Sequence, residues 1–160
     1  MTAIVLWAAF AWLHNAIAVH SPLLVVTGAG ENIAKTLLCG VLQRLTPNAV
    51  AAAELTGPNL YRIVDQMHPT LITDDAHRLL ERRPELAHII NVSWTRNTAR
   101  IPRQERVNGQ WVTHWFDAFC PKIIAGINVR MPQDTASRTI RITMLPKLPH
   151  EKGQGFQVRG

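Results

Sequence analysis

The chain has 160 residues, enough for one domain with a substantial core. Apolar residues make up 47% of it and no low-complexity tract occurs, which excludes a disordered chain. Cys39 and Cys120 form no C-x-x-C pattern, His14, His20, His68, His77, His88, His114 and His150 lack metal-ligand spacing, and the net charge of +6 favours a polyanionic partner.

In chain order, residues 2–18 read as a largely buried helix packed on a sheet. The apolar run is too short to span a bilayer, and no Lys or Arg precedes it as a signal peptide would require. Leu23–Thr27 is a continuous apolar run, as expected of a parallel strand buried on both faces. Lys35–Leu45 is a helix that Thr46-Pro47-Asn48 stops. Ala49–Glu54 is ambiguous, with a short strand as one reading. Gly57–Met67 has the apolar stripe of a helix, and Pro69–Thr73 is a second core strand. Helices follow over Asp75–Glu81 and Pro84–Val92. Residues 98–117 alternate around Asn108-Gly109, a strong hairpin turn signal, so a β-hairpin is inserted here. Ile123–Ile127 is a third core strand and Thr139–Met144 the last strand. The expected architecture is α/β, a mostly parallel sheet in a three-layer arrangement of the P-loop NTPase type, with residues 1–148 as one domain and 149–160 as a loose tail.

Two segments carry chemistry. The first is a strand, a loop with Gly28 and Gly30, then Ala34-Lys35-Thr36 opening a helix; the second is a strand ending in Asp74-Asp75. That is the layout of a phosphate-binding loop: backbone N–H groups cradle phosphates, Lys35 reaches them, and Thr36 and Asp74 hold Mg²⁺. Asp75 takes the place of the general base, one methylene shorter than the usual Glu. In the strict pattern G-x-x-x-x-G-K-[ST] the glycine slots fall on Ala29 and Ala34. Ala34 fits if its φ is negative; a positive φ costs about 1 kcal/mol. Asn128, at the end of the third core strand, is a candidate γ-phosphate sensor. Arg138 is placed like an arginine that reaches a phosphate of its own or a neighbouring subunit, and Asn91 and Arg96 complete the catalytic candidates. Arg100, Arg103 and Arg106, with Trp111 and Trp115 nearby, suit a nucleic-acid backbone and its bases; the alternative is a solvated hairpin whose tryptophans pack on the core.

The chain resembles the bacterial and phage domain-of-unknown-function family numbered 3631, P-loop ATPase-like modules attached to primase or helicase proteins of mobile elements. The resemblance rests on Leu6-Trp7 and His14, Leu23-Leu24, Lys35-Thr36-Leu37-Leu38, Leu60-Tyr61-Arg62, Pro69 to Ile72 with Asp74-Asp75-Ala76, and Ile90-Asn91 with Arg96. It continues through Phe119 to Lys122, Ala125-Gly126-Ile127, Pro132 and Arg138-Thr139-Ile140. The family's loop is commonly Ser-Pro-x-x-x-x-Gly-Lys-Thr and its acid pair Asp-Glu, so this chain departs from it at Gly28-Ala29, Ala34 and Asp75, and at Ser137, where the family has Asp. The resemblance implies an ATP- and Mg²⁺-dependent module for DNA replication or mobilisation, helicase-like, cytoplasmic, with DNA and other copies of itself as partners and no membrane. One alternative is a degenerate P-loop scaffold or DNA-binding module that does not hydrolyse nucleotide. Another is a secreted binding domain with a cleaved signal, which fails if Leu6, Leu13 and Ile17 are buried against the first strand.

Overall fold

The structure is a computed structural model; it describes residues 2–30, 34–52, 55–74, 76 and 82–146. The expected helix over Asp75–Glu81 and the tail 149–160 fall mostly or wholly outside the described residues. The elements are α1 (Thr2–Ile17), β1 (Leu23–Gly28), α2 (Lys35–Leu45), β2 (Ala49–Ala51), α3 (Gly57–Met67), β3 (Thr70–Thr73), α4 (Pro84–Val92), β4 (Arg100–Val107), β5 (Gln110–Asp117), β6 (Lys122–Ile127), α5 (Gln133–Ala136) and β7 (Thr139–Met144).

Five strands form one parallel sheet in the order β2-β3-β6-β1-β7. β1 is an inner strand between β6 and β7, and all six of its residues are buried, as its unbroken apolar run requires. Alternate residues of the strands feed different layers. Leu24, Val26, Ile72, Ile123 and Ala125 pack on Trp7, Ala8 and Ala11 of α1 and on Cys39 and Leu42 of α2. On the opposite face, Leu23, Val25 and Ile124 meet Val129 and Ile90, and Leu71 meets Leu60 and Val64 of α3 and Leu86 and Ile89 of α4. This is the three-layer α/β arrangement read from the sequence. Of the described residues in the ambiguous segment, Ala49–Ala51 form an edge strand beside β3.

The hairpin β4–β5 forms a separate antiparallel pair, turned by Asn108 and Gly109 at φ of 51° and 84°. Two consecutive positive φ values match the twist of the flanking strands, which is why Asn-Gly is favoured there. Ile101 and Phe116 seat the hairpin on Leu60, Tyr61 and Val64 of α3.

α1 differs from expectation. It does pack on the sheet, but its buried side is Trp7, Ala8, Ala11 and His14. Leu6, Leu13 and Ile17 are 64%, 53% and 65% exposed, so the large aliphatics face outward. Small Ala8 and Ala11 let the helix approach the strands closely, and Trp7 fills the gap while its Nε1 donates to Pro22 O at 3.0 Å. The condition set for excluding a secreted domain is therefore not met.

The end of α1 is fastened by polar groups. Arg96 Nε donates to Ala18 O at 2.8 Å, and its Nη2 donates to His14 O at 2.9 Å and to Asn15 O at 3.1 Å. These carbonyls lie at or just beyond the helix end, where intrahelical donors run out. Beneath them His14 is fully buried, stacked on Phe119 at 4.4 Å, with Nε2 3.0 Å from Ser21 Oγ, which donates to Cys120 O at 2.8 Å. The other ring nitrogen, Nδ1, lies 3.2 Å from Asn15 Oδ1, so both nitrogens of His14 have a polar neighbour.

Burial, above all, pushes the His14 imidazole down from 6.5 to about 4. The folded chain therefore holds His14 neutral while the unfolded chain takes up a proton near pH 6.5. Stability from this group is fully present above pH 6.5 and is lost as pH falls towards 4, by about 3 kcal/mol at 1.36 kcal/mol per pH unit. Urea unfolding of the wild type and His14→Gln over this range should show a shallower pH dependence in the variant; equal slopes would mean that His14 is not the responsible group.

Candidate functional site

The carboxyl edge of the sheet gathers the residues singled out around the phosphate loop. β1 ends at Gly28 and the chain passes Ala29 and Gly30; Glu31–Ile33 lie outside the described residues. The chain enters α2 through Ala34 at φ 53° and ψ 22°, the left-handed region. Of the two values weighed for Ala34, the positive one holds, with its cost of about 1 kcal/mol for a residue with a Cβ. The backbone thus adopts a glycine-type conformation at a position where the strict loop pattern has glycine. Ala34 O then accepts from Leu38 N at 3.0 Å, starting the helix.

Lys35 is buried, and its Nζ donates to Gly30 O at 2.6 Å, folding the side chain back over the loop. Thr36 Oγ1 donates to Asp74 Oδ2 at 2.8 Å across 38 positions of sequence. Asp74 immediately follows β3, so the strand carries its carboxylate to the first turn of α2. One turn on, the buried Cys39 thiol is pushed up to about 12, by desolvation first and by the Asp74 charge second, which leaves it an unreactive core group. Thr36 and Asp74 present hard oxygen donors side by side, the set from which Mg²⁺ takes protein ligands while phosphates and waters fill the rest of its shell. Among the described residues, no three His, Cys, Asp or Glu side chains cluster as a metal cage. Asp75 lies outside the described residues.

Asn128 follows β6 at φ 44°, and its N–H donates to Gly28 O at 3.2 Å. It therefore sits beside the start of the loop. A cleft of about 620 Å³ opens along this edge, lined in part by Gly28, Ala29, Asn128, Arg130 and Arg141.

Arg138, Asn91 and Arg96 are not at this edge. Leu23 N donates to Arg138 O at 3.3 Å, which puts Arg138 at the amino end of β1. Gly28 lies about five residues further on, roughly 16 Å at the usual strand rise. There Arg138 Nη1 donates to Asn91 Oδ1 at 2.9 Å, Asn91 Nδ2 donates to Asp134 Oδ2 at 2.9 Å, and the guanidinium lies 5.9 Å from the Trp94 ring centre. Arg138 and Asn91 are thus separated from their own chain's phosphate loop by the length of a strand, and Arg96 is engaged in capping α1. The same edge contains Lys122, which sequence reasoning did not single out. It is buried with Nζ donating to Cys120 O at 2.7 Å, and desolvation lowers its pKa.

A second surface lies on the hairpin. Register places Arg100, Arg106, Trp111 and Trp115 on one face and Ile101, Arg103, Glu105, His114 and Phe116 on the other. The second face is the packed one: Arg103 Nε donates to Tyr61 Oη at 3.2 Å, and Glu105 pairs with Arg62 at 3.2 Å. Trp111 and Trp115 are 69% and 56% exposed, so the tryptophans do not pack on the core. Arg103 separates from the other two arginines.

No family model matches the chain, and no curated protein matches it. Solved structures do. The chain is similar to JCV helicase with a TM-score of 0.54 and 14% identity, over 91% of this chain and 40% of the helicase chain. It is similar to the same helicase bound to a thiazolopyridine acetamide with a TM-score of 0.50 and 16% identity, over 91% of this chain and 46% of that one. The chain thus spans less than half the length of the helicase chains it matches, and at this identity the likeness is one of fold.

Proposed function

We propose that this chain is an ATP- and Mg²⁺-binding P-loop module of the primase/helicase type. The observation that carries the reading is the Thr36–Asp74 hydrogen bond at 2.8 Å, made beside a loop whose Ala34 keeps the left-handed conformation of a phosphate-loop glycine. The helicase-like fold and the resemblance to family 3631 support it. Lys35 would leave Gly30 O for the phosphates, Thr36 and Asp74 would hold Mg²⁺, Asn128 would meet the γ-phosphate, and Asp75 would orient the attacking water. Arg138 would serve only a neighbouring copy's nucleotide, because a strand length separates it from its own loop. The second reading, a P-loop scaffold without hydrolysis, is favoured by the strain at Ala34 and by the short acid at Asp75.

Calorimetric titration with ATP–Mg²⁺ tests the phosphate site. Lys35→Ala should weaken binding at least tenfold, since a charge-assisted contact is worth about 1.5–3 kcal/mol. Ala34→Gly, by releasing the left-handed strain, should bind at least as tightly as wild type. Equal affinity in wild type and Lys35→Ala would remove the assignment.

The free hairpin face is proposed to contact DNA, with Arg100 and Arg106 on phosphates and Trp111 and Trp115 against unpaired bases. The salt dependence of DNA binding should flatten by about two contacts' worth in Arg100→Ala/Arg106→Ala, because each phosphate contact releases counterions. Arg103→Ala should leave that slope unchanged and lower stability instead. An unaltered slope in the double variant would make these charges a solvated surface.

A further inference from the structure

Beyond the residues assigned above, the turn carrying Asn128 is fastened in an unusual way. Asn128 holds φ 44°, a left-handed turn that Asn tolerates better than most side chains and that neighbouring contacts can fix further. Three bonds do so. Asn128 N–H donates to Gly28 O at 3.2 Å, Val129 N–H donates to the Thr27 hydroxyl at 3.2 Å, and Arg141 Nη2 donates to Val129 O at 3.0 Å. The first two come from β1. The third comes from β7, which lies on the other side of β1 from β6. Val25 is paired with Ile124 on one side and with Arg141 on the other, so the guanidinium crosses an entire strand, about 10 Å from β7 to β6. A long side chain is needed for that reach. Among the described residues, Arg141 makes no salt bridge, and the Val129 carbonyl is its hydrogen-bond partner.

We infer that Arg141 is a positioning residue that holds the Asn128 turn in register with the phosphate loop, so that γ-phosphate recognition depends on a side chain acting through the Val129 carbonyl. The inference rests on the phosphate-site reading. It predicts a selective effect: the β-phosphate end of the site is built by the loop and α2 and stays intact without Arg141, whereas the γ-phosphate end loses its fixed Asn128.

The experiment is calorimetry with ATP–Mg²⁺ and ADP–Mg²⁺ on wild type, Arg141→Met, Arg141→Lys, Asn128→Ala, Asn128→Ala/Arg141→Met and Lys35→Ala, with a thermal midpoint for each. Arg141→Met should weaken ATP about fivefold or more, the scale of one displaced hydrogen-bond contact, while leaving ADP nearly unchanged. Arg141→Lys, which can still reach the carbonyl, should recover part of the loss. The double variant should bind ATP no more weakly than Asn128→Ala alone, because both changes disable one element. Equal losses for ATP and ADP, no loss for either, or additive losses in the double variant would overturn the inference while Lys35→Ala still weakened binding at least tenfold. Unchanged binding of both nucleotides by Lys35→Ala would instead overturn the phosphate-site reading, and the inference with it.

Discussion

The hydrogen bond between Thr36 and Asp74 joins the two halves of the candidate site. It links the first turn of α2, which follows β1, to the end of β3, with β6 lying between those two strands. For this bond to exist, β1 must deliver the loop at the carboxyl edge, Ala34 must turn left-handed to aim α2 back over the sheet, and β3 must end at residue 73. Each condition is met by local chemistry: an unbroken apolar strand, a strained residue at a glycine slot, and a four-residue buried strand ending in an acid. The bond satisfies a hydroxyl donor and a carboxylate together. Both oxygens are kept within the reach of one small cation, which needs closely spaced hard ligands.

The opposite edge of the sheet is built on different physics. There Lys122, Ser21 and His14 are buried, Lys122 and Ser21 donating to Cys120 O and His14 meeting the Ser21 hydroxyl, while Arg96 donates to carbonyls at the end of α1. Burying Lys122 and His14 costs desolvation, and both are shifted towards their neutral forms. That edge locks α1 to the sheet, while the carboxyl edge presents exposed groups, Thr36 and Asn128 among them. The division explains why Arg96, expected among catalytic residues, makes three bonds to the α1 terminus, and why Arg138 lies beside Trp94 rather than near Lys35.

Much of this was legible in the sequence. The valine-rich run of β1 specified a buried strand, Lys35-Thr36 and Asp74 were placed by their position after strands, and Asn108-Gly109 fixed the hairpin turn. In a parallel sheet, residues just after strands share one edge and residues just before strands share the other. By that rule Asn128 and Arg138 had to separate, since one follows β6 and the other precedes β7. The orientation of α1 was not legible, because a helix apolar on every side gives no periodicity to read. Nor was the packed face of the hairpin: both faces mix aromatic and charged residues, and only the contact of Ile101 and Phe116 with α3 decides between them. Arg141 alternates in an ordinary strand pattern, and nothing in the sequence signals its reach across β1.

The central claim is that Thr36 and Asp74 form the protein half of a Mg²⁺–nucleotide site. The most direct measurement is ATP affinity with and without Mg²⁺ in wild type, Thr36→Ala and Asp74→Asn. The account predicts that Mg²⁺ strengthens ATP binding in wild type and that both variants lose this increment while keeping the Mg²⁺-free affinity. The same Mg²⁺ dependence in all three proteins would contradict it.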